Sequence, residues 1–400
     1  MIIGLIGKAN VGKSTFFNAA TELAVPAANY PFTTIEPNVG VAYARTKCVC
    51  GEFGVQDNPV HSICIEGNRF IPVKLVDVAG LVPGAHAGKG LGNKFLDEAR
   101  QADALVHVVD ASGTTDSNGR SVPAGTGDPL FDIGFVEQEF DLWLSALVGR
   151  DWSKNAREAE GLGQKLEQML AKRLSGLGIS EALIAAAIHV SGLAMKKPIS
   201  WTDEEILAFC KILRSKAKPF VIAANKADLS SADANIEKIK AAGLEVVPCA
   251  SEAEALLRKA SKRGVLHYLP GDSSFDVKPN VVLNSQQQKA LDIVRTLMQR
   301  YGSTGVQEAI NIACFKLLRL VAVYPVEDEF KLADKKGNIL PDVRLLPQGS
   351  TAKDLAGTVH ADLAKGFLYA VDARTKQRVG ADHKLKNGDV IKIVSATSRG

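Results

Sequence analysis

One run constrains this chain more than any other: Gly7-Lys-Ala-Asn-Val-Gly-Lys13-Ser14 fits GxxxxGK[ST]. It follows a short apolar run, Ile2 to Ile6, and opens a helical pattern from Lys13 to Leu23. That strand–loop–helix context separates a working phosphate loop from a chance glycine-rich turn. Gly7 and Gly12 let the backbone wrap close to an anion, so successive N–H groups and the helix N-terminus point at phosphate. Lys13 is positioned to reach the β- and γ-phosphates, and the Ser14 hydroxyl to ligate Mg²⁺. Asn10, Val11 and Thr15 complete the nucleotide-binding stretch.

Two further motifs complete the site, and the second decides which nucleotide. Asp77-Val-Ala-Gly80 ends the apolar run Phe70–Val76, about 65 residues after the phosphate loop. A carboxylate there holds Mg²⁺, usually through water, while the Gly80 N–H senses the γ-phosphate. Asn225-Lys226-Ala-Asp228 ends the run Phe220–Ala224. The Asp228 carboxylate can accept from both N1–H and the 2-amino group of guanine. Adenine offers neither donor, and an unpaired charged acceptor costs a few kcal/mol, so the motif selects GTP over ATP.

Further runs at Ala104–Val109 and Leu244–Pro248 alternate with helix-length segments, the pattern of a largely parallel, doubly wound α/β sheet with its ligands beyond the strands' carboxyl ends. Residues 1–134 and 217–318 form this nucleotide-binding domain. Residues 135–216 interrupt it with helical patterns, QKLEQMLAKRL and ISEALIAAAIHV, separated by a turn at Gly176 and Gly178. Two more helices, Gln286–Tyr301 and Gly305–Leu318, flank the break Gly302-Ser303-Thr304. From Arg319 to Gly400, LVAVYPV, FLYAVDA and DVIKIVSA read as strands and TAKDLAGTVHADLAK as a helix capped by Ser350 or Thr351. Strands packing one helix describe a small α+β domain.

Of 48 Lys+Arg against 44 Asp+Glu, residues 319–400 hold 14 against 10, so the whole surplus of four lies in this tail. Either it is a surface for an RNA backbone or an ordinary solvated face. No apolar stretch approaches the roughly 18 residues of a membrane span. The nearest, Ala182 to Met195, is interrupted by His189, Ser191 and Gly192. MIIGLIGK lacks the basic stretch and cleavage site of a signal peptide, so a cytoplasmic protein without membrane partners is expected. Of six cysteines, Cys48, Cys50 and Cys64 lie near His61. The CxC step and Gly/Pro-rich spacer resemble a small zinc loop, but without CxxC steps the expected state is reduced, partly buried thiols in a β-ribbon.

YPFTTIEPNVG, DVAGLVPGAHAGKGLGNKFL and the ending from Arg319 together resemble the Obg family of GTPases, in its YchF-like branch with an intact NKxD. The ending is similar to a TGS domain, a β-grasp module. Nearly the whole chain is covered. The resemblance implies a P-loop GTPase with Thr34, in the loop Tyr30–Pro37, as a switch-dependent Mg²⁺ ligand. It also implies association with ribosomes or RNA through the TGS-like domain.

Two positions depart from the pattern. Cys249-Ala250-Ser251-Glu252 stands where an SA-type motif would meet guanine: the Ser251 N–H can reach the base oxygen, but Ala250 takes the place of a supporting serine. After Gly80 comes Leu81, which cannot orient the attacking water, so intrinsic hydrolysis is expected to be slow. Two substitutes are visible. Asn10 resembles the asparagine by which some GTPases hold K⁺ beside the β–γ bridge, though asparagine also suits a tight loop. His107, alone in ALVHVVD, either orients water or is a packed core histidine.

Overall fold

The computed structural model describes residues 1–22, 38–78, 99–161 and 165–396. Thr33, Thr34, Gly80 and Leu81 lie outside the described residues. Compactness groups the described residues into two units, one of residues 1–22, 38–40 and 74–309, the other of residues 41–73 and 310–396.

Seven strands form the main sheet: β1 (Ile2–Ile6), β2 (Val39–Lys47), β3 (Ile63–Ile65), β4 (Asn68–Asp77), β5 (Ala104–Asp110), β6 (Phe220–Asn225) and β7 (Val246–Pro248). Their order is β2-β4-β1-β5-β6-β7, with β3 antiparallel on β4. The pairings β4–β1, β1–β5, β5–β6 and β6–β7 are parallel. Every residue of β5 is buried, as expected of a central strand covered on both faces, and its apolar run shows no polar alternation for that reason. The register Leu5↔Asp77 and Asp110↔Asn225 brings the ends of these strands to one edge, where the loops carrying the motifs emerge.

The long helix Pro129–Gly149 starts earlier than the sequence pattern suggested. Asp128 caps it by accepting from Leu130 N at 3.0 Å, and Pro129 occupies the first turn, where its missing N–H costs nothing. Its Ile133 belongs to the core beneath β6, Val136 and Phe140 to the core beneath β5, and Leu144 and Val148 to a separate helical core. That helical core also takes Trp152, Leu170, Ile184, Trp201 and Phe209, from helices Trp152–Gly161, Leu166–Arg173, Glu181–Val190 and Asp203–Ala217 and the segment before the last. One helix thus serves both the sheet and the helical insertion, so no sharp boundary falls near residue 135. After β7, Ser251–Lys262 and the capped helix Ser285–Tyr301 pack on the sheet, with a two-stranded ribbon β8 (Leu266–His267) and β9 (Asp276–Val277). The expected helix Gly305–Leu318 is α-helical over Val306–Asn311 and widens into π turns over Ile312–Leu317.

The second unit carries a five-stranded sheet of order β11-β10-β14-β12-β13: β10 (Leu320–Val326), β11 (Arg344–Pro347), β12 (Phe367–Asp372), β13 (Arg378–Val379) and β14 (Val390–Ser395). β10 and β14 are parallel and the other pairs antiparallel. Ala352–Val359 packs Ala352 and Leu355 against Val323, Ala370 and Ile391, the arrangement of a β-grasp. Its cap is Thr351, not Ser350: Thr351 and Asp354 exchange bonds in a capping box. His360 then breaks the expected single helix, and Ala361–Lys365 continues as a separate turn. No helix among the described residues is long and apolar enough to cross a membrane.

Candidate functional site

The phosphate loop is held open by backbone that only glycine tolerates well. Gly7 and Gly12 have φ of 148° and 92°, and Asn10 also lies in the left-handed region at 62°. A Cβ on Gly12 would sit 2.2 Å from Asn225 Nδ2, and one on Gly7 would sit 2.4 Å from Val108 O. Both glycines are therefore fixed by conformation and by space together.

Asn225 explains the contact. It is 3% exposed, and its Nδ2 donates to Val11 O at 2.8 Å. Its Oδ1 accepts from Ser251 N at 3.0 Å and from Ser251 Oγ at 2.9 Å. One amide thus ties the phosphate loop to β6 and to the start of helix Ser251–Lys262. The Ser251 N–H, expected to meet the base oxygen, is instead committed to Asn225. Ser251 itself braces Asn225 with its N–H and its hydroxyl, the support expected from a serine at position 250.

Lys13 forms an ion pair with Asp77, and the Ser14 hydroxyl lies 3.3 Å from the other Asp77 oxygen. A hydroxyl and a carboxylate converging beside a lysine at a helix N-terminus fit Mg²⁺ chemistry, which favours oxygen ligands and retains several waters. Ser14 and Asp77 are the described residues that would hold the ion; it would neutralise charge on the β- and γ-phosphates. Asp228 is exposed.

The segment after β5, which no motif marks, wraps the loop. Asp110, 1% exposed, accepts from Ser112 Oγ at 2.5 Å, Thr114 Oγ1 at 2.8 Å, Thr115 Oγ1 at 2.9 Å and Lys226 Nζ at 2.9 Å. Burial alone would raise its pKa, but the bonds from Ser112, Lys226 and Thr114 outweigh it and hold the carboxyl below its ordinary value. Lys226 is positioned by this knot. Lys8 does not serve phosphate: it is 5% exposed, pairs with Asp132 at 2.6 Å and donates to Asp116 O at 2.7 Å. Asn10 Nδ2 donates to Gly119 O at 2.9 Å, which fixes the amide and turns its carbonyl end away from that bond. At the far end of helix Lys13–Thr21, Arg258 donates to the carbonyls of Ala20 and Glu22 and is paired with fully buried Glu254 at 2.5 Å. The roles of Lys8, Asp110, Asp132, Glu254 and Arg258 were not legible in the sequence: Lys8 is an unspecified position of the phosphate-loop pattern, and each of the five bonds a residue remote in the chain.

His107 is not brought to the site. It is 1% exposed, its ring packs edge-on against Phe220 at the amino end of β6, and neither ring nitrogen has a partner. Burial lowers its pKa to about 3. These are the surroundings of a core residue, not of a group that handles water.

Comparison with known proteins adds three family models and close relatives. A model described as 50S ribosome-binding GTPase matches residues 2–124. One described as the G4 motif-containing domain of YGR210-like Obg-like GTPases matches residues 223–328, and a TGS-domain model matches residues 335–395. The chain is 49% identical to a GTP-binding protein of Methanocaldococcus jannaschii, covering 99% of each chain. It is 27% identical to the ribosome-binding ATPase YchF of Bacillus subtilis, over 92% of this chain and 87% of that one. A crystal structure of a GTP-binding protein from Pyrococcus horikoshii superposes with a TM-score of 0.79 at 42% identity, covering 99% of this chain and 100% of the other.

The buried histidine gives a pH prediction. His107 has a folded pKa of about 3, below the unfolded value of about 6.5. Its neutral form is matched above about pH 6.5, and stability is lost as pH falls from there toward 3, by at most about 1.4 kcal/mol per pH unit. Denaturant unfolding at about pH 7 and about pH 5 should show a smaller acid loss in His107→Leu than in the wild type. Equal losses would mean that His107 takes up its proton in the folded chain.

Proposed function

Because the chain belongs to the Obg-like GTPases, in their YchF-like branch, we propose that it is a GTP-hydrolysing switch whose nucleotide state sets its affinity for the ribosome. The observation that carries this reading is the Asn225 clamp. A single buried amide couples the loop that cradles phosphates to the motif that reads the base. Gly7, Asn10, Val11, Gly12, Lys13, Ser14 and Thr15 bind the phosphates; Lys226 and Asp228 bind guanine. Thr34 and the Gly80 N–H sense the γ-phosphate, and losing it releases both. Mg²⁺ is held by Ser14 and Thr34, and by Asp77 through water.

Guanine selectivity rests on Asp228, whose two acceptor oxygens match the N1–H and 2-amino donors. A second reading, ATP hydrolysis, draws on the name of the Bacillus subtilis relative. The intact Asn225, Lys226 and Asp228 favour GTP. With Leu81 in place of a water-orienting side chain, intrinsic turnover is slow. Asn10 supplies an amide carbonyl beside the phosphates where K⁺ would be held, and the charge developing on the β–γ bridge makes a fixed cation there worth orders of magnitude in rate.

The ribosome as partner draws on the TGS domain and on the relative's name. Part of the tail's positive charge is already paired: Arg374 bonds Glu52 at 2.5 Å, and Lys392 bonds Glu329 at 2.7 Å. Arg378 stacks on Tyr369 at 4.4 Å, and Lys384 donates to Gly349 O at 2.7 Å. An RNA-contacting face would draw on Arg378 and Lys386 before Arg374.

Calorimetry with GTP, GDP and ATP should give tight binding of the guanine nucleotides only. Asp228→Asn should weaken GTP by a few kcal/mol, roughly a hundredfold or more, and admit xanthosine triphosphate. Preference for ATP in the wild type would replace the GTPase reading with the second one.

Hydrolysis of GTP should run faster in KCl than in NaCl at equal ionic strength, and Asn10→Ala should erase the difference. Equal rates in the wild type would move the catalytic cation to a partner.

Co-sedimentation of the full chain with ribosomes should be stronger with a non-hydrolysable GTP analogue than with GDP, or the reverse, since a switch needs differential binding. Identical sedimentation in the two states would leave a nucleotide-bound adaptor and no switch.

A further inference from the structure

Apart from Asp77 at the end of β4, the ribbon β2–β3–β4 places no described side chain at the nucleotide site, yet it gathers an unusual set of side chains. Cys48 follows β2, Cys50 begins the short helix Cys50–Phe53, Asp57 lies in the next loop and Cys64 is on β3. Their ligand atoms all lie within 4.8 Å of one another. Cys50 Sγ and Cys64 Sγ are 3.8 Å apart, and Cys48 Sγ is 3.2 Å from Asp57 Oδ2. Among the described residues, no other three His, Cys, Asp or Glu ligand atoms converge in this way. His61 of the sequence pattern is exposed and is not among the four.

Zinc–sulfur bonds of about 2.3 Å in a tetrahedron give sulfur–sulfur edges of about 3.8 Å, and zinc–oxygen bonds of about 2.1 Å give sulfur–oxygen edges of about 3.6 Å. The cluster is therefore within roughly 1 Å of closing on one ion. Thiols are weak hydrogen-bond donors, so three of them beside a carboxylate satisfy one another poorly. Arg69 supplies the outer shell. It is fully buried, donates from Nη2 to Asp57 Oδ2 at 2.7 Å and to Cys48 Sγ at 3.4 Å, and is held in turn by Ser62 Oγ at 2.9 Å. A guanidinium there orients two of the four ligands and offsets part of their negative charge.

Backbone bonds from Asn58 N to Ile339 O at 3.1 Å and from Val60 N to Pro341 O at 2.8 Å, and the Arg374–Glu52 ion pair, hold the loop side of the ribbon. Its apolar cluster contains only Tyr43, Ile63 and Phe70 as buried members.

We propose that Cys48, Cys50, Asp57 and Cys64 form a structural site for one divalent zinc ion, with all four positions supplied by the chain. The ion fastens the end of β2, the Cys50–Phe53 turn, the Asp57 loop and β3 to one point. With no position open to water, the site is structural and takes no part in hydrolysis.

Full-length protein purified without chelator should carry about one equivalent of zinc. Co²⁺ added to the reduced, metal-stripped chain should give thiolate-to-metal charge-transfer absorption with tetrahedral ligand-field bands. Cys50→Ser and Cys64→Ser should each weaken Co²⁺ binding at least about tenfold. Asp57→Cys should retain it and His61→Ala should leave it unchanged. Should a cysteine variant fail to fold, the wild-type Co²⁺ spectrum decides alone. Absence of thiolate charge transfer in reduced wild type overturns the proposal. So does a Cys50–Cys64 disulfide in protein alkylated directly from reducing cytosol, or loss of binding in His61→Ala.

Discussion

Asn225 is the side chain on which the nucleotide-binding unit depends. A buried primary amide is costly unless its donors and acceptor are used, and here they join three segments remote in sequence: the loop at Val11, the end of β6, and the start of helix Ser251–Lys262. The clamp also dictates a neighbour. With Asn225 Nδ2 in place, position 12 has no room for a Cβ, so Gly12 answers to packing as well as to its positive φ. The geometry of the phosphate loop and that of the Asn225–Asp228 loop are therefore one problem with one solution.

Around that clamp, buried carboxylates fix the lysines of the loops that flank it. Asp110 holds Lys226, and Asp132 holds Lys8 against the carbonyls of Thr115 and Asp116. Burial raises the Asp132 carboxyl's pKa even though Lys8 lies beside it, so loss of solvent outweighs the pairing there. Glu254 performs the same service at the other end of the first helix, placing Arg258 on carbonyls that the helix cannot satisfy by itself. Arg258 thus takes carbonyls at the far end of helix Lys13–Thr21, while its N-terminus, with no side-chain cap at Gly12, stays available to an anion.

What could be read without coordinates followed from local rules. The strand–loop–helix context of Gly7–Ser14, the Asp77 and Asn225 motifs at strand ends, and the helix–turn–helix pattern around Gly178 all record backbone requirements within a few residues. Boundaries failed where a local signal was ambiguous or shared. Asp128-Pro129 is a helix start that the sequence displays plainly, but the apolar pattern after it serves two cores in succession, so no period singles out one of them. His107 offered two readings because an apolar strand looks the same whether its one polar ring faces a site or a phenylalanine.

The sequence by itself determined the phosphate loop, the α/β class and a separate α+β ending, since each is carried by residue types at fixed short spacing. Tertiary structure alone decided which side chains meet. It made Ser251 a brace for Asn225, turned Lys8 away from phosphate, and set Asp57 in place of His61 beside three cysteines. The physical reason is the same in each case: a bond between residues many positions apart leaves no periodic trace, and only the folded backbone fixes the distance between them.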